Sequence, residues 1–170
     1  QRYIEFLTAV LDKQIELVIS WMRIGFIHGV MNTDNTLISG ETIDYGPCAM
    51  MNQFDLDTVF SSIDHQGRYA FGNQPNIANW NIARLAESLI PLFAEQDSAV
   101  EQLSSVVNGF AAKFNDAFNA MWQQKLGLTD QQESDHALVS ELLGLMKQHQ
   151  LDYTNTFNAL TESLVRDFAI

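Results

Sequence analysis

Apolar residues at Ile4, Leu7, Leu11, Ile15, Val18 and Met22 recur every three or four positions, the stripe of one long amphipathic helix. The stripe stops at Gly25, a residue type that ends helices because it enters the left-handed conformation freely. Phe26-Ile27 then lead into a loop that opens at His28. Thr36-Leu37-Ile38, Ser39-Gly40-Glu41 and Thr42-Ile43-Asp44 read as strand, tight turn and strand, a single β-hairpin. From Pro47 to Asn79 no period holds: Gly, Asn, Asp and Gln separate aromatics at Phe54, Phe60, Tyr69 and Phe71. That composition predicts ordered loops with short helical turns, and loops of such length in a compact domain are usually functional. The remainder is helical. Ile82, Leu85, Leu89 and Phe93 form a stripe that Pro91 kinks or closes. Val100, Leu103, Val107, Phe110, Phe114, Ala117 and Met121 predict one continuous helix to Lys125, with a core-facing Phe and Met stripe and a stop at Gly127. Thr129 and Gln132 have the spacing of a capping box for a helix marked by Leu138, Leu142, Leu145 and Met146. Asp152 is placed to cap a last helix carrying Phe157, Leu160 and Leu164. The pattern as a whole predicts a mainly α domain with one hairpin, without repeats or flexible linkers.

Composition narrows the class. The 170 residues suffice for one domain with a substantial core, and 46% hydrophobic against 18% charged residues is a globular balance. A formal net charge of −12 argues against a nucleic-acid footprint and against attraction to anionic lipid surfaces; acidity here serves solubility. Cys48 is the only cysteine, which excludes an intrachain disulfide and a Cys-based zinc site and fits a reducing compartment. As a small apolar side chain it reads as filler rather than nucleophile. No apolar run is long enough to span a membrane, and Gln1-Arg2-Tyr3-Ile4-Glu5 already belongs to a periodic helix rather than to a signal peptide. A chain that opens inside a helix is expected to be a piece of a longer protein.

The candidate chemistry lies in Gly25-Phe26-Ile27-His28-Gly29-Val30-Met31-Asn32-Thr33-Asp34-Asn35 and in Thr42-Ile43-Asp44-Tyr45-Gly46-Pro47. Asp34, Asn35 and Asp44 are hard oxygen donors able to close on one divalent cation that carries phosphates. His28 and Asn35 are separated as are the His and Asn of H-R-D-x-x-x-x-N, and Asp44-Tyr45-Gly46 stands in the place of D-F-G. Helix, His loop, Asn, hairpin and Asp-Tyr-Gly, in that order, match the C-terminal helical lobe of a protein-kinase-like fold, the hairpin carrying the metal-binding loop. Val30 departs from that pattern, because it occupies the position of the proton-accepting Asp and valine accepts no proton. Asp34 is the carboxylate of the loop able to replace it. His28 is expected to orient the loop through a hydrogen bond. Arg68, in Asp64-His65-Gln66-Gly67-Arg68, is expected to pair with a carboxylate, with a phosphate as the second choice. Trp80, Asn81 and Arg84 are expected to pack and cap the opening of a helix, and His136 and His149 receive no role.

At this point the chain resembles a specific family. His28-Gly29-Val30-Met31-Asn32-Thr33-Asp34-Asn35, Thr42-Ile43-Asp44-Tyr45-Gly46-Pro47 and Asp64-His65-Gln66-Gly67-Arg68-Tyr69-Ala70-Phe71 are similar to motifs of the selenoprotein O family. Gln74-Pro75 and Trp80-Asn81-Ile82-Ala83-Arg84-Leu85-Ala86 extend the likeness. The resemblance is strong from Tyr3 to Glu87 and weaker through the later helices. It implies a protein adenylyltransferase with a kinase-like fold in which ATP is held inverted, so that AMP passes to Ser, Thr or Tyr hydroxyls of proteins. It further implies Asp34 as catalytic base, Asn35 and Asp44 as ligands of Mg2+ or Mn2+, and Asp44 as the contact to the nucleotide through the metal. Its members live in bacterial cytoplasm or in mitochondria; the bacterial cytoplasm is expected here. ATP and hydroxyl-bearing proteins are the implied partners, with no nucleic acid and no membrane.

A kinase-like enzyme also needs an N-terminal lobe with a Gly-rich loop and a strand Lys on the phosphates. The residues ahead of His28 form one helix, and Lys13 on that helix is no substitute. The expectation is therefore one C-lobe fragment over residues 1–170, with helix, catalytic loop and hairpin at 1–47, ordered loops at 48–80 and helices at 81–170. It lacks the nucleotide-binding lobe and is inactive alone. Two other classes stay open: a pseudokinase-like interaction domain, and a small-molecule phosphotransferase sharing the His-Gly start of the loop, which Val30 disfavours.

Overall fold

The computed structural model describes residues 1–129, 132 and 134–168, with side chains to residue 163. Among the described residues six α-helices carry the fold: α1 (Arg2–Ile24), α2 (Gln74–Leu89), α3 (Gln96–Asn108), α4 (Phe110–Leu126), α5 (Asp135–Gln148) and α6 (Tyr153–Phe168). Two short strands, β1 (Phe26–Ile27) and β2 (Ala49–Met50), pair antiparallel with Phe26 opposite Met50 and Ile27 opposite Ala49. Among the described residues no helix is long and apolar enough to cross a membrane.

The first helix forms where the stripe predicts it and lies at the centre of the packing, against α2, α3 and α4. Leu7, Leu11, Ile15, Val18 and Met22 are buried on its inner face, and Ile4 is half-buried at its start. Gly25 closes it in the left-handed conformation, φ 76°, its N–H donating to the Met22 carbonyl. Two side chains complete that terminus: the Tyr153 hydroxyl donates to the Met22 carbonyl at 2.8 Å, and the Lys125 ammonium donates to the Arg23 carbonyl. A helix end leaves such carbonyls without intrahelical partners, and these donors satisfy them. Lys125 also sits on the faces of Phe157 and Tyr153, 4.0 and 4.3 Å from their centroids.

The hairpin expected at 36–44 does not form. Leu37 O accepts from the Gly40 N–H at 3.1 Å and from Gln14 Nε2 at 2.7 Å, and Ile43 O is taken by His28. With these carbonyls engaged elsewhere, no 36–38 to 42–44 ladder is built. The sheet instead joins the two ends of the segment, before His28 and after Cys48.

Other boundaries move as well. Helix α2 begins at Gln74, inside the stretch read as loop, with Pro75 in its first turn where the missing N–H costs nothing. Trp80, Asn81 and Arg84 thus lie in its middle. Pro91 follows in a short 3-10 turn that closes it, as expected. The single helix anticipated from Val100 to Lys125 is two, divided at Gly109, whose N–H turns back on the Ser105 and Val106 carbonyls. Val107 and Phe110 keep the apolar spacing across the break, which hides it from a periodicity argument. The α4 stripe is core as expected, with Phe110, Phe114 and Met121 buried and Gly127 left-handed at the end. Thr129 and Gln132 do not cap α5. That helix starts at Asp135, whose carboxylate accepts from the Gln132 N–H at 3.1 Å. Its buried face carries Val139 and Met146, leaving Leu138 and Leu145 exposed. Asp152 caps α6, accepting from the Asn155 N–H at 2.7 Å. Phe157 is partly buried, Leu160 is exposed, and the Leu164 side chain lies outside the described residues.

Candidate functional site

Residues 28–48 are a loop held from two sides. From α1, Gln14 Nε2 reaches the Leu37 carbonyl, Trp21 Nε1 donates to Thr42 Oγ1 at 2.9 Å, and the Lys13 backbone lies against Gly40. From α2, Gln74, fully buried, accepts from the His28 N–H at 3.0 Å and donates to the Phe26 carbonyl at 3.1 Å. Asn81, also buried, donates through Nδ2 to the Met31 carbonyl at 3.0 Å and to Thr36 Oγ1 at 2.9 Å. A third anchor comes from the 64–69 turn, where the Tyr69 hydroxyl donates to Asn32 Oδ1 at 2.5 Å. These neutral polar groups tie down an irregular segment and satisfy its backbone atoms at Leu37, His28 and Met31.

Sequence reasoning missed these anchors. Gln14 stands on the apolar stripe between Leu11 and Ile15, and Gln74 and Asn81 share the apolar face of α2 with Ile77, Ala78 and Ile82. An amide on a core-facing position was the available signal.

Within the loop, the buried His28 donates from Nε2 to the Ile43 carbonyl at 2.7 Å, and its Nδ1 has no hydrogen-bond partner among the described residues. It is the orienting residue that its position suggests. Gly29 has φ 86°, and a Cβ there would lie 2.7 Å from the Pro47 carbonyl oxygen. Together these contacts lay 28–30 alongside 43–47, the segment that carries Asp44. Asn35 belongs to the same knot: its Nδ2 donates to the Val30 carbonyl at 3.1 Å, which leaves Oδ1 for another partner. The structure thus brings Asn35 and the Asp44 turn to one three-residue stretch, His28 to Val30. Asp34 is exposed on the 3-10 turn Thr33–Asn35.

Asp44 is exposed and adopts φ 54°, in the left-handed region that Asp tolerates better than most residues. The Gly46 N–H closes back onto its carbonyl at 2.7 Å. Backbone in such a conformation persists where surrounding contacts over-determine it, and it concentrates at functional sites. Among the described residues no three His, Cys, Asp or Glu side chains group to hold a metal. With the Asn32 amide oxygen taken by Tyr69 and the Glu41 carboxylate by Ser39, the donors the loop leaves are the Asn35 amide oxygen and the carboxylates of Asp34 and Asp44. That set fits a cation that takes few protein ligands and fills its shell with water and phosphate, as Mg2+ does.

The 64–69 turn closes on the Asp64 carboxylate, which accepts from the Arg68 and Tyr69 N–H groups. Burial pushes the Asp64 carboxyl up, but backbone N–H groups of Tyr69, Arg68, Gln66 and Gly67 outweigh it and hold the group below the usual carboxylate range. Arg68 does not form the expected carboxylate pair; its guanidinium stacks on Trp80 at 4.8 Å from the ring centroid. Cys48 is half-buried against the core, consistent with filler.

Helical scaffold and tethered loop together define a class only when set beside known proteins. A sequence model of the family described as Protein adenylyltransferase SelO matches residues 1–169. The chain belongs to that family of protein nucleotidyltransferases. It is 68% identical over its full length to the Protein nucleotidyltransferase YdiU of Pseudoalteromonas translucida (strain TAC 125), covering 36% of that protein. To the YdiU proteins of Anoxybacillus flavithermus (strain DSM 21510 / WK1) and Shouchella clausii (strain KSM-K16) it is 56% and 53% identical, over 94% of the chain and 34% and 33% of those proteins. The chain therefore spans about a third of the length of the curated relatives it matches.

Proposed function

We propose that this chain carries the catalytic loop of an enzyme that transfers AMP from ATP to Ser, Thr or Tyr hydroxyls of proteins. The acceptor oxygen attacks the α-phosphorus, the bond to the β-phosphate oxygen breaks, pyrophosphate leaves, and the hydroxyl proton passes to Asp34. Asn35 Oδ1 and Asp44 would hold the cation, with Asp44 the side chain through which the chain would meet the nucleotide. A bound Mg2+ or Mn2+ supplies the positive charge that offsets charge building on the phosphates. His28 and Gly29 fix the Asp44 turn, and Val30 lends its carbonyl, not its side chain, to orient Asn35.

The observation that supports this reading is the Asn35 Nδ2 hydrogen bond to the Val30 carbonyl, which engages the amide nitrogen and leaves Oδ1 available, in a loop whose His28 and Gly29 contact Ile43 and Pro47. Membership of a nucleotidyltransferase family supports the reaction class. By the same reading the 170 residues alone are inactive and bind ATP weakly, because the loop supplies no Gly-rich cradle and no strand Lys. The test uses the full-length protein with ATP labelled on the α- or the γ-phosphate. Label is expected on acceptor protein from the α position, and Asp44→Ala is expected to abolish it. Transfer from γ alone, or an unimpaired Asp44→Ala enzyme, overturns the assignment.

A further inference from the structure

Only nine Lys and Arg residues face 21 Asp and Glu in this chain, yet two arginines flank one exposed tryptophan. Arg68 lies 4.8 Å from the Trp80 centroid and Arg84 lies 5.1 Å from it, and Trp80 is 39% exposed. Arg84 spends one nitrogen on Glu87 at 2.6 Å. Arg68 has no carboxylate within ion-pair distance among the described residues. A guanidinium stacked on a ring keeps its N–H groups in the plane, pointing outward in a fork that matches a carboxylate.

The patch adjoins the loop on two counts. The residue after Arg68, Tyr69, is bonded to Asn32, and Arg84 lines a cavity of about 350 Å³ together with Thr33 and Thr36. These contacts flank Asp34 in the chain. The Asp64 carboxylate accepts from the Arg68 and Tyr69 N–H groups at 2.9 and 2.7 Å, which anchors the arginine's backbone. A preorganised, unpaired cation beside the loop of an otherwise acidic molecule has one evident use, which is to select its partner.

We infer that Arg68, stacked on Trp80, is a specificity residue that recognises a carboxylate of the acceptor protein near the hydroxyl to be modified. This rests on the reading of the loop as an AMP-transfer site. Charge complementarity commits the occupant: Glu or Asp side chains of an acceptor segment, approaching a surface whose surroundings repel acids in general, so that discrimination falls on this one point.

The experiment compares, in the full-length protein, acceptor peptides that differ only in flanking Glu, Gln, Lys or phosphoserine. The Glu peptide is expected to show the lower KM, and Arg68→Ala is expected to raise that KM about tenfold, roughly one charge-assisted hydrogen bond. The Gln peptide should be unaffected, kcat should hold, and Arg68→Lys should restore part of the loss. Equal KM values for the Glu and Gln peptides, or a preference that survives Arg68→Ala, overturn the inference. So does discrimination confined to phosphoserine, which would assign a phosphate instead. Fluorescence anisotropy of the labelled Glu peptide reads the contact without any transfer, with the same tenfold loss expected in Arg68→Ala. A peptide that binds in this way yet receives no AMP refutes the loop reading and leaves the acidic contact standing.

Discussion

Gly29 concentrates the logic of the loop in one residue. Its φ of 86° suits glycine, and the space where a Cβ would sit is filled by the Pro47 carbonyl oxygen at 2.7 Å. Gly29→Ala combines left-handed strain with that collision, so it is expected to destabilise the fold by about 2–3 kcal/mol, read from urea unfolding. An unchanged midpoint would mean that 28–30 and 43–47 are not in register as described. The three residues of the candidate site were legible in the sequence because their chemistry is local: an Asp-Asn pair, a second Asp, and the spacing from His28. Their supports were not. Gln14, Gln74 and Asn81 stand out only as amides on core-facing positions, and the sequence does not say that they hold backbone groups of a distant segment.

At the scale of elements, the end of α1 is a junction where α4 and α6 meet it through Lys125 and Tyr153. Burial pushes the Lys125 ammonium down to about 8, and the like charge of Arg23 adds to the effect. Burial also holds the Tyr153 hydroxyl well above the usual phenol range. Between pH 8 and the ordinary lysine value of 10.5 the unfolded chain binds a proton that folded Lys125 has released. Stability contributed at this site therefore rises with pH across that window. Tyr153 acts in the opposite sense only above its ordinary value of 10.0, where the unfolded phenol ionises and the folded one does not. In urea unfolding, wild type is expected to gain on Lys125→Met between pH 7.5 and 9.5; a constant difference would contradict the shift. Lys13 and Lys147 titrate alike in both proteins and cancel. The helices themselves were mostly readable, since α1 and α4 keep a regular apolar face. The errors at 36–44 and at Gly109 share a cause. Alternation and period describe side chains, whereas ladder and break are decided by which backbone N–H and C=O groups find partners.

At the scale of the molecule, α1 is the shared wall against which α2, α3 and α4 pack. Protection from hydrogen exchange is expected to be greatest in α1, the middle of α2 and α4, and least in 55–63, where backbone bonds are local turns. Exchange measured by mass spectrometry checks this, and equal protection of 55–63 and α1 would contradict it. The amino-acid sequence by itself determined the helical class, the ends of α1 and α4 at glycines, and the identity of the acids and amide on the loop. Those follow from periodicity, backbone freedom and side-chain chemistry, which act within a few residues. The tertiary structure alone decided that strands close around the loop rather than within it, that α2 amides anchor it, and that two arginines share Trp80. Each of these joins residues far apart in the chain, and no local rule carries information over such separations.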